Sequence, residues 1–160
     1  MNKTKRKIFE TSMKLFAEKG YDATSIEEIT SVVGVAKGTL YYHFSSKEEI
    51  FHFLVDEGMK LLQNSISIKT AQKTNSIDKL KSIVLIQLKV LYKYEDFMTI
   101  IFSQLWGNEP RNIECKKYVV QYLKIIEEII QDGINKGEII KADPETIASE
   151  IFSTTCISLI

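Results

Sequence analysis

Little in this sequence interrupts a helix: its 160 residues include two prolines and seven glycines. That scarcity, with 44% hydrophobic residues, excludes a disordered or collagen-like chain and leaves material for one or two small cores. The only cysteines are Cys115 and Cys156, which make no disulfide framework and fit a reducing compartment. They are scattered relative to His43 and His52, and no acidic cluster compensates, so neither a metal nor another cofactor is expected. No apolar run approaches the roughly 18 residues of a membrane span. Even Ile83 to Leu91 is broken by Gln87 and Lys89. The basic amino terminus passes into an amphipathic pattern, without the apolar segment and cleavage site of a secretory signal, so a cytoplasmic protein is expected. A catalytic triad, a Gly-rich phosphate loop and a supported carboxylate pair are also missing, which argues against an enzyme.

Net charge is zero as well, but it is unevenly spread. Residues 1–47 hold eight Lys and Arg against five Asp and Glu, and the remainder holds 13 against 16. A basic front end on an acidic body steers one end toward phosphate, although an imbalance this small is also ordinary for a solvated surface.

What is present reads almost everywhere with helical period, and strand-like alternation is never sustained, so the fold is expected to be all-α. A first helix spans Lys3 to Lys19, with Ile8, Phe9, Ser12, Leu15 and Phe16 on its inner face, and Gly20 closes it. Thr24-Ser25-Ile26-Glu27 has the pattern of a capping box and opens a second helix to about Val32. Gly34 permits a sharp turn, and a third short helix follows from Ala36 to His43. Ser46-Lys47-Glu48-Glu49 repeats the capping logic and begins a helix continuing to about Ile66. The polar run Lys69 to Ser76 reads as a linker or interhelical loop. Further helices are expected at about Ile77–Lys93, Asp96–Trp106, Arg111–Lys136 and Pro144–Ile160, the last capped by Asp143.

Two short helices joined by a glycine turn have the dimensions of a helix-turn-helix, whose second helix enters the major groove of DNA. At about 100° per residue, Leu40 and Phe44 share an inward arc. Lys37, Gly38 and Tyr41 share a neighbouring arc, and Thr39, Tyr42 and His43 another. Lys37 can donate to guanine O6 and N7, and Tyr41 can offer its hydroxyl or ring to bases. Thr39, Tyr42 and His43 can donate to phosphate oxygens. Gly38 costs up to about 1 kcal/mol relative to Ala inside a helix, which close approach to DNA rationalises. Lys47 adds a cation at a helix amino end. Packing or plain surface is the competing explanation for each of these side chains.

The residues Phe16-Ala17-Glu18-Lys19-Gly20-Tyr21, Thr24-Ser25-Ile26-Glu27-Glu28-Ile29, Gly34 through Phe44 and Ser46-Lys47-Glu48-Glu49 resemble the amino-terminal signature of the TetR (tetracycline-repressor-like, TetR/AcrR) transcriptional regulators. The resemblance runs without a gap through about fifty residues. It implies a three-helix DNA-binding domain at 1–47 and a helical ligand-binding and dimerisation domain at 48–160. It also implies base contacts from Lys37, Gly38 and Tyr41, and phosphate contacts from Ser25, Thr39, Tyr42, His43 and Lys47. Glu27 stands where the tetracycline repressor has Arg, which puts a base contact from the second helix in doubt. The partners implied are double-stranded operator DNA of near-palindromic sequence, a second copy of the chain and a small-molecule inducer, with repression the expected outcome.

Beyond residue 66 the resemblance is architectural. Phe97, Met98, Ile101, Phe102, Leu105 and Trp106 crowd one helix, and Tyr118, Tyr122 and Ile126 follow on the next. Aromatic residues at helical spacing serve as core or as pocket lining. The pocket reading takes Phe97, Ile101, Phe102, Trp106, Tyr118 and Tyr122 as candidates for a lipophilic or aromatic ligand. Ile147, Ala148, Ile151, Phe152, Thr155 and Leu159 form an apolar face that stops at Ile160 without a cap, as expected either if a further dimerising helix were cut away or if the chain dimerises in an unusual way. The alternative to a regulator is a helical interaction module retaining the helix-turn-helix as scaffold, without salt-dependent DNA binding.

Overall fold

The computed structural model describes residues 1–157, apart from the side chain of Ile157, so the expectations for Leu159 and Ile160 lie outside the described residues. The described chain is all-α, with eight helices in the order α1 (Lys3–Lys19), α2 (Ile26–Val33), α3 (Lys37–His43), α4 (Lys47–Ala71), α5 (Ser76–Lys93), α6 (Glu95–Ser103), α7 (Pro110–Asn135) and α8 (Pro144–Ile157). It divides into two compact units: residues 1–58 with 96–115, and residues 59–95 with 116–157 of the described chain. The expected boundary at residue 47 marks the start of α4, whereas packing carries the first unit on to Gly58 and adds most of α6 and the beginning of α7.

Several helix ends differ from the sequence expectation. The cap of α2 is Ser25, whose hydroxyl accepts from the Glu28 amide at 3.1 Å. Thr24 instead donates its buried hydroxyl to the Gly20 carbonyl at 2.8 Å and the Leu15 carbonyl at 3.2 Å, closing the end of α1. The shift by one residue puts Glu27 in the first turn without a capping task. The segment Lys69–Ser76 is no long linker, because α4 continues to Ala71 and Asn75 already caps α5 by accepting from the Asp78 amide at 2.8 Å. The sixth helix ends at Ser103 and does not reach Trp106. There the Asn112 amide donates to the Gln104 carbonyl and side-chain oxygen, each at 3.0 Å, and Gly107 turns the chain at φ 126°.

In the first unit, Ile8, Phe16, Ile29, Leu40, Phe44, Ile50, Phe51 and Leu54 are sealed from solvent. Tyr21 packs against Phe16 and Phe51, with ring centroids 5.2 Å away in both cases. Lys47, at the start of α4, donates to the Tyr21 and Thr24 carbonyls at 2.8 Å each and lies 4.3 Å from the Tyr21 ring centre. Arg111 lies 4.8 Å from the same ring, and its guanidinium donates to Asp22 at 2.7 Å and Gln104 at 3.0 Å. The turn between α1 and α2 is thus held by two cations that satisfy its outward carbonyls and carboxylate. The amino terminus of α4 is closed separately. Ser46 accepts from the Glu49 amide at 3.1 Å, while the Glu49 carboxylate accepts from Ser45 at 2.6 Å.

The second unit has its core at Ile66, Ile83, Tyr122, Ile126, Ile130 and Ala148, with Ile147, Ile151 and Phe152 of α8 packed against it. A polar relay runs through it: Tyr122 donates to the Gln87 side chain at 2.7 Å, and Gln87 donates to the Phe152 carbonyl at 3.2 Å. Asp143 caps α8 ahead of Pro144 as expected, accepting from the Thr146 amide at 2.9 Å.

Lys47→Met preserves chain length but leaves two carbonyls without their donor. It is expected to destabilise the protein by about 2 kcal/mol in chemical denaturation without any DNA present, given the strength of hydrogen bonds to charged groups. A wild-type denaturation midpoint would contradict this role of Lys47.

Candidate nucleic-acid interface

A seven-residue helix cannot persist alone, because helix nucleation is costly and so few residues do not recover that cost. The helix α3 is therefore fixed from outside. Leu40 has no exposed surface, and Phe44, directly after the helix, is 1% exposed. Its approach angle is set by Gly34, which takes the left-handed conformation (φ 76°, ψ 41°) that a side chain would strain. The Gly34 and Val35 amides both donate to the Thr30 carbonyl, at 2.9 and 3.1 Å. Lys7 of α1 donates to the last carbonyl of α2, that of Val33, at 2.8 Å.

With Leu40 turned inward, the opposite surface of α3 is left to Lys37, Gly38, Tyr41 and Tyr42, all exposed, Tyr42 to 83%. Thr39 and His43 are half-buried along the side, and the His43 ring meets that of Tyr42 edge-on at 5.0 Å. A Cβ placed on Gly38 would meet nothing within 4 Å, so nothing in the fold requires glycine there. Ser25, exposed at the amino end of α2, completes the face.

Two residues of the expected DNA-contact set are engaged within the protein. Lys47 is half-buried and spends two of its three N–H donors on the Tyr21 and Thr24 carbonyls. Lys37 forms an ion pair with Glu27, which holds the Glu27 carboxyl below its usual range and raises the Lys37 ammonium. The sequence reading missed that pair because it made Glu27 part of a capping box with Thr24, whereas the cap at Ser25 frees Glu27 to face α3.

The residues read as a ligand pocket are divided. Phe97 and Ile101 are buried and Phe102 half-buried in the first unit, whereas Trp106 of that unit is 84% exposed. Tyr118 is half-buried, and Tyr122 belongs to the core of the second unit. A groove that the sequence reading did not single out lies within the second unit, with a volume of about 580 Å³. Its rim carries Lys69, Lys73, Lys89 and Lys93 and no acidic residue, and its apolar lining includes Ile68, Leu85, Ile86 and Val90. The lysines come from the end of α4, the following loop and α5, so neither segment alone announces a cluster.

Residues 8–54 match the family model for bacterial regulatory proteins of the tetR family. The chain is 31% identical over 122 residues to the HTH-type transcriptional regulator YerO of Bacillus subtilis, covering 74% of this chain and 41% of that one. It is 40% identical over 114 residues to IcaR of Staphylococcus aureus, the HTH-type negative transcriptional regulator of the biofilm operon icaADBC, covering 71% of this chain and 59% of that one. The chain thus spans about half the length of these curated relatives. Among solved structures, a Clostridium perfringens protein named for regulation of fatty acid metabolism is 35% identical with a TM-score of 0.89, covering 96% of this chain and 83% of that one. With the helix-turn-helix built as described and the signature matched through it, the chain belongs to the tetR family of bacterial regulatory proteins.

Proposed function

We propose that this protein is a cytoplasmic, non-enzymatic repressor that binds a near-palindromic operator as a homodimer and releases it when a small amphiphilic molecule binds. The observation that carries the DNA-reading half is the surface of α3, where one buried leucine leaves Lys37, Gly38, Tyr41 and Tyr42 facing outward. Gly38 is the second residue of α3, where glycine still gives up more backbone freedom than alanine, and no internal neighbour explains it. Close approach of the backbone to the floor or wall of the major groove does. Repression follows the S. aureus relative, which is named a negative regulator.

A dimer reading two half-sites must hold its recognition helices roughly 34–36 Å apart, one turn of DNA. In the first unit α4 begins beside the helix-turn-helix, and Phe97 of α6 lies against Gly58, where a Cβ would come within 2.3 Å of its ring. An effector that shifts α4 or α6 thereby changes the presentation of α3, and its energy of release is its preference for the shifted state. Residues 1–47 serve as reader, and 48–160 as sensor and dimerisation region.

For the effector, the lysine-rimmed groove supports an anionic amphiphile, its acyl chain on Ile68, Leu85 and Ile86 and its head among the lysines. The relation to a regulator named for fatty acid metabolism points the same way. The aromatic candidates support an uncharged lipophilic effector instead.

Gly38→Ala is expected to leave thermal stability unchanged or raised, while weakening binding to the selected operator at least tenfold in fluorescence anisotropy. Tyr41→Ala should lose sequence preference and keep the dimer. Wild-type DNA affinity in both variants would defeat the assignment of α3. Titration with sodium decanoate below its micellar range is expected to release the operator, with decanol much weaker. The double variant Lys89→Gln, Lys93→Gln should require about tenfold more decanoate. Equal potency of decanol and decanoate would reject the groove in favour of the aromatic candidates.

A further inference from the structure

Glu27 is an anomaly on a surface built to meet a polyanion. It sits in the first turn of α2 with its side chain 65% exposed, and its carboxylate is paired with the ammonium of Lys37, itself 52% exposed, on the first residue of α3. Its neighbour Glu28 is different: that carboxylate turns toward α1 and pairs with Lys19, and its amide donates to the Ser25 cap. Glu28 therefore has a structural task, and Glu27 has none that the fold requires. A carboxylate on this face repels phosphate, and it pairs with the cation on the first residue of α3, so it weakens binding to DNA of arbitrary sequence. Such a group is tolerable where it meets a matching donor, and among the exposed edges of the major groove the amino groups of cytosine (N4) and adenine (N6) are donors.

We propose that Glu27 and Lys37 read DNA as one unit, Lys37 donating to O6 and N7 of a guanine while Glu27 accepts from N4 of a cytosine in the same or the adjoining base pair. The two groups are already within contact distance, so they address neighbouring groups in the groove without either side chain having to cross the other. Lys37 alone tolerates many acceptors, including any phosphate oxygen. Joined to a carboxylate, it is offered only where acceptor and donor stand side by side, as guanine and cytosine edges do. The pair is thus a filter, lowering general affinity in exchange for discrimination. Because both side chains are mostly exposed, their mutual attraction is weak enough for each to re-aim at a base.

This inference rests on the DNA-reading role proposed above, and the test separates the two. The purified full chain is used to select duplexes from a random-sequence library, and the wild type is compared with Glu27→Gln and with the charge swap Glu27→Lys, Lys37→Glu. The wild type is expected to select a half-site containing a guanine and cytosine read together. Glu27→Gln should lose at least tenfold of its discrimination at the cytosine while keeping the guanine. Its affinity for random DNA should rise, with the slope of log K against log salt steeper by about 0.9 per subunit as Lys37 becomes available to phosphate. The charge swap preserves the ion pair in the free protein, so a merely structural role predicts an unchanged motif. Reading by Lys37 alone predicts loss of the guanine with the cytosine position unaffected, and joint reading predicts that both preferences are lost or moved together. Melting temperatures within a few degrees of the wild type show that the folded chain is being compared, and the swap remains informative if Glu27→Gln unfolds. A wild type that selects a motif unchanged in both variants overturns the joint reading alone. A wild type that selects no motif overturns the regulator assignment and this inference with it.

Discussion

The architecture of the first unit depends on the constraint that α3 is too short to hold itself. With seven residues it forms a single continuous run of barely two turns, and its one fully buried member is Leu40. Everything around it supplies what its own hydrogen bonds do not. Phe44 locks its end into the core, and Lys5 stands over the rings of Phe44 and Phe53 at 4.6 and 4.8 Å. The Gly34 turn fixes its beginning, and Lys7 closes α2 beside it. Because so little of α3 is spent on packing, so much of it can face outward.

The same economy governs the basic charge of the first unit. Three lysines of the basic front end are partly committed inside the protein: Lys7 to a helix carbonyl, Lys47, which the sequence reading assigns to phosphate, to two loop carbonyls, and Lys37, which it assigns to a base, to Glu27. A lysine has three donors, so such commitment orients the ammonium and still leaves hydrogens for a phosphate. The consequence is a basic front end with fewer freely swinging cations than the sequence suggests. Lys47 shows the balance best. Its place beside Tyr21 makes it part of the unit's framework, so loss of DNA binding on its substitution would report folding and contact together.

The sequence made the helix-turn-helix legible because periodicity and turn chemistry agree there: Gly34 requires the turn, and Leu40 and Phe44 recur one turn apart. It misplaced the α2 cap by one residue because Thr24 and Ser25 both have capping hydroxyls, and only tertiary packing shows that Thr24 is drawn down onto the Leu15 and Gly20 carbonyls. It shortened α4 because the polar residues after Ile66 look like a linker, although a helix stops at its capping and hydrogen-bonding signals, not where its apolar face ends. Trp106 was assigned to a helix and a pocket through the run of apolar residues before it. The Asn112 side chain, eight positions beyond Gln104, captures the backbone and ends that run. The lysine groove was invisible for a related reason: its four cations are dispersed over 25 residues, and only the folded path brings them to one rim.

The two compact units also differ from a simple division between reader and sensor. The first unit takes in α6 and the start of α7, so residues 96–115 are built into the same packed body as the helix-turn-helix. His52 of α4 pairs with Glu114 of α7, and Arg111 ties α7 to Asp22 in the turn between α1 and α2. A change in the register of α6 or the head of α7 therefore reaches α4 and the turn before α2, through an ion pair, a cation over Tyr21 and the ring of Phe97 against Gly58. If α4 were the only connection, a signal could reach α3 only along one helix axis, and bending of that helix would dissipate it. Contacts on different sides of Tyr21 and Phe51 tie α4, α6, the head of α7 and the turn before α2 into one packed body.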